Sequence, residues 1–151
     1  MAKPRVQLRP YRDGDLAAFT PRADFAEELA ATGWNWAGGA PSAQVYTVIE
    51  GDGAVIGVAG FVPQAAGEWH AFAYLAEIPR RLWPQLLWRA ETALRRLEFL
   101  GGARRIFASA RMSCPAARPT LARLCFEETA ETIEAAIGEG VGYDIMVRGA
   151  R

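Results

Sequence analysis

Two carboxylates bracket a short apolar stretch of this chain: Glu68 and Glu77 stand at either end of residues 69–75, which also hold His70, the single histidine of the sequence. A carboxylate at a strand end can draw a proton from a substrate group through water, and an imidazole titrates near neutrality, so these side chains are the candidate bases. The competing reading is of exposed strand-end charges and a histidine with no acid or nucleophile partner. Arg80 and Arg81 follow at the entrance to a predicted helix, where guanidinium groups could hold an anion or form a solvated face. Trp34 and Trp36 sit among Gly33, Gly38 and Gly39, a loop composition that offers two large aromatic side chains as contact anchors or as walls of a substrate site. Cys114 and Cys125 have no metal-ligand spacing, and one histidine supplies no zinc set, so they read as reduced, buried thiols.

The elements that position these groups follow from periodicity. Residues 6–9 alternate in period two and run into Pro10, which predicts an opening strand ending in the turn 10–15. Asp24 with Glu27 reads as an N-cap pair for a helix that stops at Gly33. Residues 45–50 are rich in β-branched side chains and meet Gly51-Asp52-Gly53, a hairpin turn. Strands over 55–62 and 69–75 complete a meander, with the reversal at 63–67. Trp83, Leu87, Ala90, Leu94 and Leu97 then recur at spacings of four and three, predicting one long amphipathic helix with Pro84 in its first turn and Gly101-Gly102 as its stop. Glu91 and Arg95 form an i, i+4 pair on its surface. A strand over 104–110 should lie parallel to the strand at 69–75, because a helix of this length is the usual parallel crossover. A short helix over 119–126 and a glycine-interrupted strand over 135–147 finish the chain.

Composition narrows the class. With 151 residues the chain suits one domain, 1–151. It lacks an apolar run long enough to span a membrane, and its first residues alternate charge with proline instead of leading into a signal sequence, which predicts a soluble, cytoplasmic protein. Seventeen basic residues balance seventeen acidic ones, so no overall field attracts nucleic acid or an anionic membrane.

The order of strand, helices, meander, long helix, strand, short helix and final strand, together with Leu8-Arg9-Pro10-Tyr11-Arg12-Asp13-Gly14-Asp15-Leu16 and Leu121-Ala122-Arg123-Leu124-Cys125-Phe126-Glu127-Glu128, resembles the GNAT N-acyltransferase superfamily. That resemblance implies an α/β fold: a mixed, mostly antiparallel twisted sheet with helices on both faces. It also implies an Arg/Gln-x-x-Gly-x-Gly/Ala loop whose backbone N–H groups cradle the acyl-CoA pyrophosphate. Arg81-Leu82-Trp83-Pro84-Gln85-Leu86 stands there instead. Leu121 occupies the place of the tyrosine that protonates the departing thiolate in many members, and Cys125 that of a glycine. Gly57-Val58-Ala59-Gly60-Phe61-Val62-Pro63 with Gly67-Glu68-Trp69 is further similar to GNAT-like internal virion proteins of tailed phages. The expectation is a non-catalytic binding or structural component, plausibly of a phage particle, without a cofactor, acting through a protein partner or its own copies by way of Trp34 and Trp36. The alternative is an acyl-CoA-dependent N-acyltransferase using acetyl-CoA. Its cofactor would then be held by Arg80, Arg81 and Gln85, with Glu68 or Glu77 as base and Tyr143 as acid.

Overall fold

A computed structural model of the protein describes residues 5–26, 43–51, 53–111, 117–134 and 142–149. Its centre is a seven-stranded sheet made of β1 (Val6–Pro10), β2 (Gln44–Glu50), β3 (Ala54–Ala65), β4 (Glu68–Leu75), β5 (Arg105–Arg111), β6 (Glu127–Glu134) and β7 (Gly142–Gly149), in the order β1-β2-β3-β4-β5-β7-β6. Neighbours are antiparallel except β4 and β5, which are parallel and joined by the long helix α1 (Trp83–Phe99). A shorter helix, α2 (Ala117–Arg123), follows β5. Single 3-10 turns precede β2 and α1, at Asp15–Ala18 and Arg80–Leu82.

Helix α1 lies along one sheet face and seals two cores. Its first half buries Leu86, with Leu82 of the preceding turn, against Val6, Val48, Ile56 and Leu75. Its second half buries Leu94 and Leu97 with Phe61, Ile106, Ala108, Phe126 and Met146, and α2 adds Leu121 beside them. The helix therefore bridges the two halves of the sheet, those before and after the parallel pair. Side chains on α1 also grip the edge strand: the Val6 N–H donates to Gln85 Oε1 at 2.9 Å, and Arg89 Nε donates to the Val6 carbonyl at 3.0 Å. Those two bonds satisfy backbone groups on a strand that has a sheet neighbour on one side only.

The opposite face is locked by Asp15. Its carboxylate takes both Arg9 nitrogens at 2.7 and 2.8 Å, the Thr47 hydroxyl at 2.5 Å and the Arg12 N–H at 2.8 Å. The Arg9 hydrogen bonds hold the Asp15 carboxyl far below the usual carboxylate range, with Thr47 and the Arg12 N–H adding to the effect against the cost of burial. The Leu8 to Leu16 motif thus ties β1 to β2 through one charge.

Several sequence expectations shift. The buried stripe of α1 runs through Leu82 and Leu86, while Leu87 is only half-buried, so the helix is rotated from the predicted face. Strand β3 continues through Pro63 to Ala65, past the expected reversal. The tail holds two strands rather than one: β6 was not predicted, because its Glu-Glu-Thr-Ala-Glu-Thr-Ile-Glu sequence lacks an apolar alternation, as an edge strand allows. A helical turn at 23–26 starts one residue before the expected cap Asp24, whose carboxylate meets Arg22 at 3.1 Å. Cys125 is exposed rather than buried. It ends α2 with φ 62°, the left-handed conformation that the glycine of the resembling motif would adopt without strain. Trp34, Trp36 and Cys114 lie outside the described residues.

Candidate functional site

The parallel pair β4–β5 is a fork. The strands are paired only at Glu68 with Arg105, Trp69 with Ile106 and His70 with Phe107. Beyond that point β4 runs on for five residues to Leu75 and β5 for four to Arg111, each paired on its other side. Their facing edges diverge. Directions along β4 fix which groups face the gap: the Ala76 N–H donates to Ile56 of β3 at 2.9 Å, whereas the Leu75 carbonyl accepts from the Arg22 N–H at 2.9 Å. Because backbone groups alternate sides along a strand, Ala71 and Ala73 turn theirs toward the gap as Leu75 does. Both are alanines, so little side chain crowds that edge.

An aromatic stack floors the fork. His70 lies against Phe107, with ring centroids 5.1 Å apart and planes 19° from parallel, and burial pushes the imidazole pKa below its ordinary value. Phe72 and Tyr74 continue that face of β4, and Phe25 meets Tyr74 edge-on at 5.9 Å with the Arg22 guanidinium 4.5 Å above its ring. One close backbone contact makes room for this wall: a Cβ on Gly60 would come within 2.3 Å of the Gln44 carbonyl oxygen and 3.0 Å of the Phe72 ring.

The fork opens toward the end of β4 from which residues 76–82 lead into α1. The 3-10 turn there uses its own donors: the Leu82 N–H bonds to Pro79 at 2.9 Å and the Trp83 N–H to Arg80. Pro84 has no N–H, and Leu82 and Trp83 pack into the core below. Arg80 and Arg81 open this turn, so their amides as well as their guanidinium groups stand at the helix entrance. No side chain caps the helix and no acidic residue stands in its first turn, while two arginines sit at the positive end of its dipole. Like charge against a dipole end is unfavourable and is relieved when an anion binds. Arg81 is exposed and reaches Glu50 at 3.5 Å, and Arg80 is also exposed.

The candidate residues fall at three places. Glu68 is at the closed end of the fork, 3.8 Å from Arg105. Glu77 is exposed at the open end, separated from Glu68 by the whole of β4, about 23 Å of strand. Tyr143 is the register partner of Arg111, at the end of β5 toward which the fork opens. Gln85 lies one turn into α1, where its carbonyl oxygen accepts the Val6 N–H. The fork itself is absent from sequence reasoning, because a break in strand pairing leaves no mark on hydrophobic periodicity. A run of small residues between aromatics, Ala71 and Ala73 beside His70, Phe72 and Tyr74, is the one available signal.

Neither a protein-family model nor a curated protein sequence matches this chain. Solved structures do. A spermidine N-acetyltransferase from Vibrio cholerae, solved with CoA and spermine, superposes with a TM-score of 0.75 at 13% identity, covering 96% of this chain and 95% of the other. An acetyltransferase of the GNAT family from Bacillus anthracis gives 0.70 at 14% identity over 96% and 95%. A GCN5-related N-acetyltransferase from Kribbella flavida gives 0.65 at 19% identity over 96% and 98%. Identities this low carry the fold alone, and the likeness extends over nearly the whole of each chain. The mixed, mostly antiparallel sheet with its helices is that of the GNAT N-acetyltransferase fold.

Proposed function

We propose that the protein is an acyl-CoA-dependent N-acyltransferase. The observation that carries this reading is the fork: two strand edges separate beside small residues and open onto a helix start bearing two arginines. An extended amide chain laid along Ala71 and Ala73 would complete the interrupted ladder. The phosphates attached to it would reach the Arg80 and Arg81 guanidinium groups and amides, which stand in for the glycine amides of the resembling loop. Bound there, acyl-CoA would supply an activated thioester.

The residues around the fork then have distinct tasks. Glu77, exposed at the open end, takes a proton from the ammonium group of the acceptor so that its nitrogen lone pair is free. That nitrogen forms a bond to the acyl carbon as the carbon–sulfur bond breaks, the Tyr143 hydroxyl gives its proton to the departing sulfur, and the second proton released by the attacking nitrogen restores the Tyr143 hydroxyl. The His70–Phe107 stack closes the gap at its base and keeps water from the reacting carbon. Glu68, at the closed end, stays with Arg105.

The sequence leans instead toward a non-catalytic binding component. One observation still favours that reading: Leu82, Trp83 and Pro84 occupy the place of the donor-rich loop. The proteins superposed above are all acetyltransferases and none is a virion component, so the phage-particle expectation draws no support from them. The test is release of free CoA thiol from acetyl-CoA across a panel of primary amines and polyamines. The enzyme reading expects amine-dependent release that falls at least about a hundredfold in Tyr143→Phe and in Glu77→Gln. Release no faster than in buffer with every amine favours the binding component.

A further inference from the structure

The outward face of α1 carries residues that a solvated helix face would not. Trp88, Phe99 and Leu100 are the large apolar side chains that stand exposed among the described residues, at 60, 83 and 84% of full accessibility, and all three belong to α1 and its cap. Trp88 and Phe99 are eleven residues apart, which is three turns, so they return to within about 20° of the same line on the helix. That line lies opposite Leu86, Leu94 and Leu97, which face the sheet. Glu91 and Arg95 stand beside it between the two aromatics, bonded to each other at 2.9 Å.

The order along this ridge is aromatic, acidic, basic, aromatic: Trp88, Glu91, Arg95, Phe99. Read backwards it is aromatic, basic, acidic, aromatic. A second copy of α1 laid antiparallel across the first therefore sets Trp88 against Phe99, Glu91 against Arg95, and the same pairs again in reverse, on a two-fold axis between Thr92 and Arg95. Complementarity of this kind under reversal is what a two-fold interface requires, because each surface must fit itself. A parallel pairing would instead bring like charges together. We infer that the Trp88–Phe99 ridge of α1 is the interface of an antiparallel homodimer, formed on the side of the helix turned away from the sheet.

Two observations prepare the ridge for this role. Arg89 lies 4.8 Å from the Trp88 ring and is itself anchored to the Val6 carbonyl, so the indole is held in place before contact. Glu91 is fixed by Arg148 through bonds of 2.5 and 3.0 Å, so its carboxylate is pre-positioned for the partner's arginine as well as its own. Aromatic anchors with little to lose on ordering are the usual centres of such interfaces.

Sedimentation velocity of the full chain over a concentration series tests the inference. The wild type should be a dimer, and Trp88→Ala with Phe99→Ala should raise the dimer dissociation constant at least about a hundredfold with unchanged circular dichroism. Arg95→Glu, which sets acid against acid without touching the apolar contact, should weaken it as well. Thr92→Cys, beside the axis, should give a disulfide-linked dimer under oxidation, while Phe99→Cys should not, because its two copies would be about 16 Å apart along the helix. A monomeric wild type, a dimer that survives both surface variants, or cross-linking at Phe99→Cys in preference to Thr92→Cys each overturns the assignment.

Discussion

The body of α1 and its first turn are built on opposite terms. In the body each polar group that faces the domain has a defined partner: Gln85 and Arg89 hold Val6, and Glu91 and Glu98 hold Arg148, which also donates to the Leu124 carbonyl at 3.0 Å. In the first turn a proline, two packed hydrophobics and two exposed arginines meet an uncapped helix end. The body is satisfied internally, whereas the first turn presents positive charge that, among the described residues, meets an anion only in the long contact to Glu50. Stability therefore resides in the body of the helix, and the proposed acyl-CoA contact in its first turn, within a single element.

Breaking the body should cost most. Arg148→Ala leaves Glu91 and Glu98 facing each other without their shared cation and should destabilise by about 3–5 kcal/mol in denaturant titration. Leu94→Ala, which opens a cavity beneath the helix, should cost about 2–5 kcal/mol, whereas its exposed neighbour Arg95→Ala should cost under about 1 kcal/mol to the isolated fold. Equal losses at Leu94 and Arg95 would mean that the two faces are not distinct.

Asp15 extends the comparison to the other sheet face. Asp15→Asn should lower stability by about 1.5–3 kcal/mol at pH 7, as expected for lost hydrogen bonds to a charged group. The sign with pH follows from its depressed folded-state value. The contribution is complete above the unfolded carboxylate pKa near 4 and declines as pH falls below it, so the difference between wild type and variant should shrink on acidification. A difference that stays constant down to low pH would show that the charge of Asp15 is not what matters. The smallest effect should be a gain: Cys125→Gly relieves a left-handed φ of 62° and should stabilise by about 1 kcal/mol in a thermal melt. A loss there would mean that the thiol makes a contact worth more than the strain.

Much of this fold is legible in the sequence because it depends on local signals. The meander follows from β-branched runs separated by glycine turns, and α1 follows from its stripe and from Gly101-Gly102 at its end. The errors have equally physical sources. Leu82, Leu86 and Leu87 are close enough in sequence that either face of the first turn looks apolar, and only packing on Val6 and Val48 selects the rotation. β6 is an edge strand and needs no apolar alternation, so its glutamates conceal it. Glu77, Arg80 and Arg81 could be picked out as candidates by type, but the fork beside them depends on pairing between strands more than thirty residues apart, from Glu68 to Arg105, and on where it stops at His70.

The proposed function requires that the fork and the arginine-bearing start of α1 together receive acyl-CoA. Titration calorimetry with acetyl-CoA tests it most directly, using the wild type and an Arg80→Ala, Arg81→Ala double variant. Expected are micromolar binding to the wild type, a melting temperature that rises with ligand concentration, and affinity at least about tenfold weaker in the variant at unchanged stability. An absence of heat and of any thermal shift at millimolar acetyl-CoA, or equal affinity in both proteins, would contradict it.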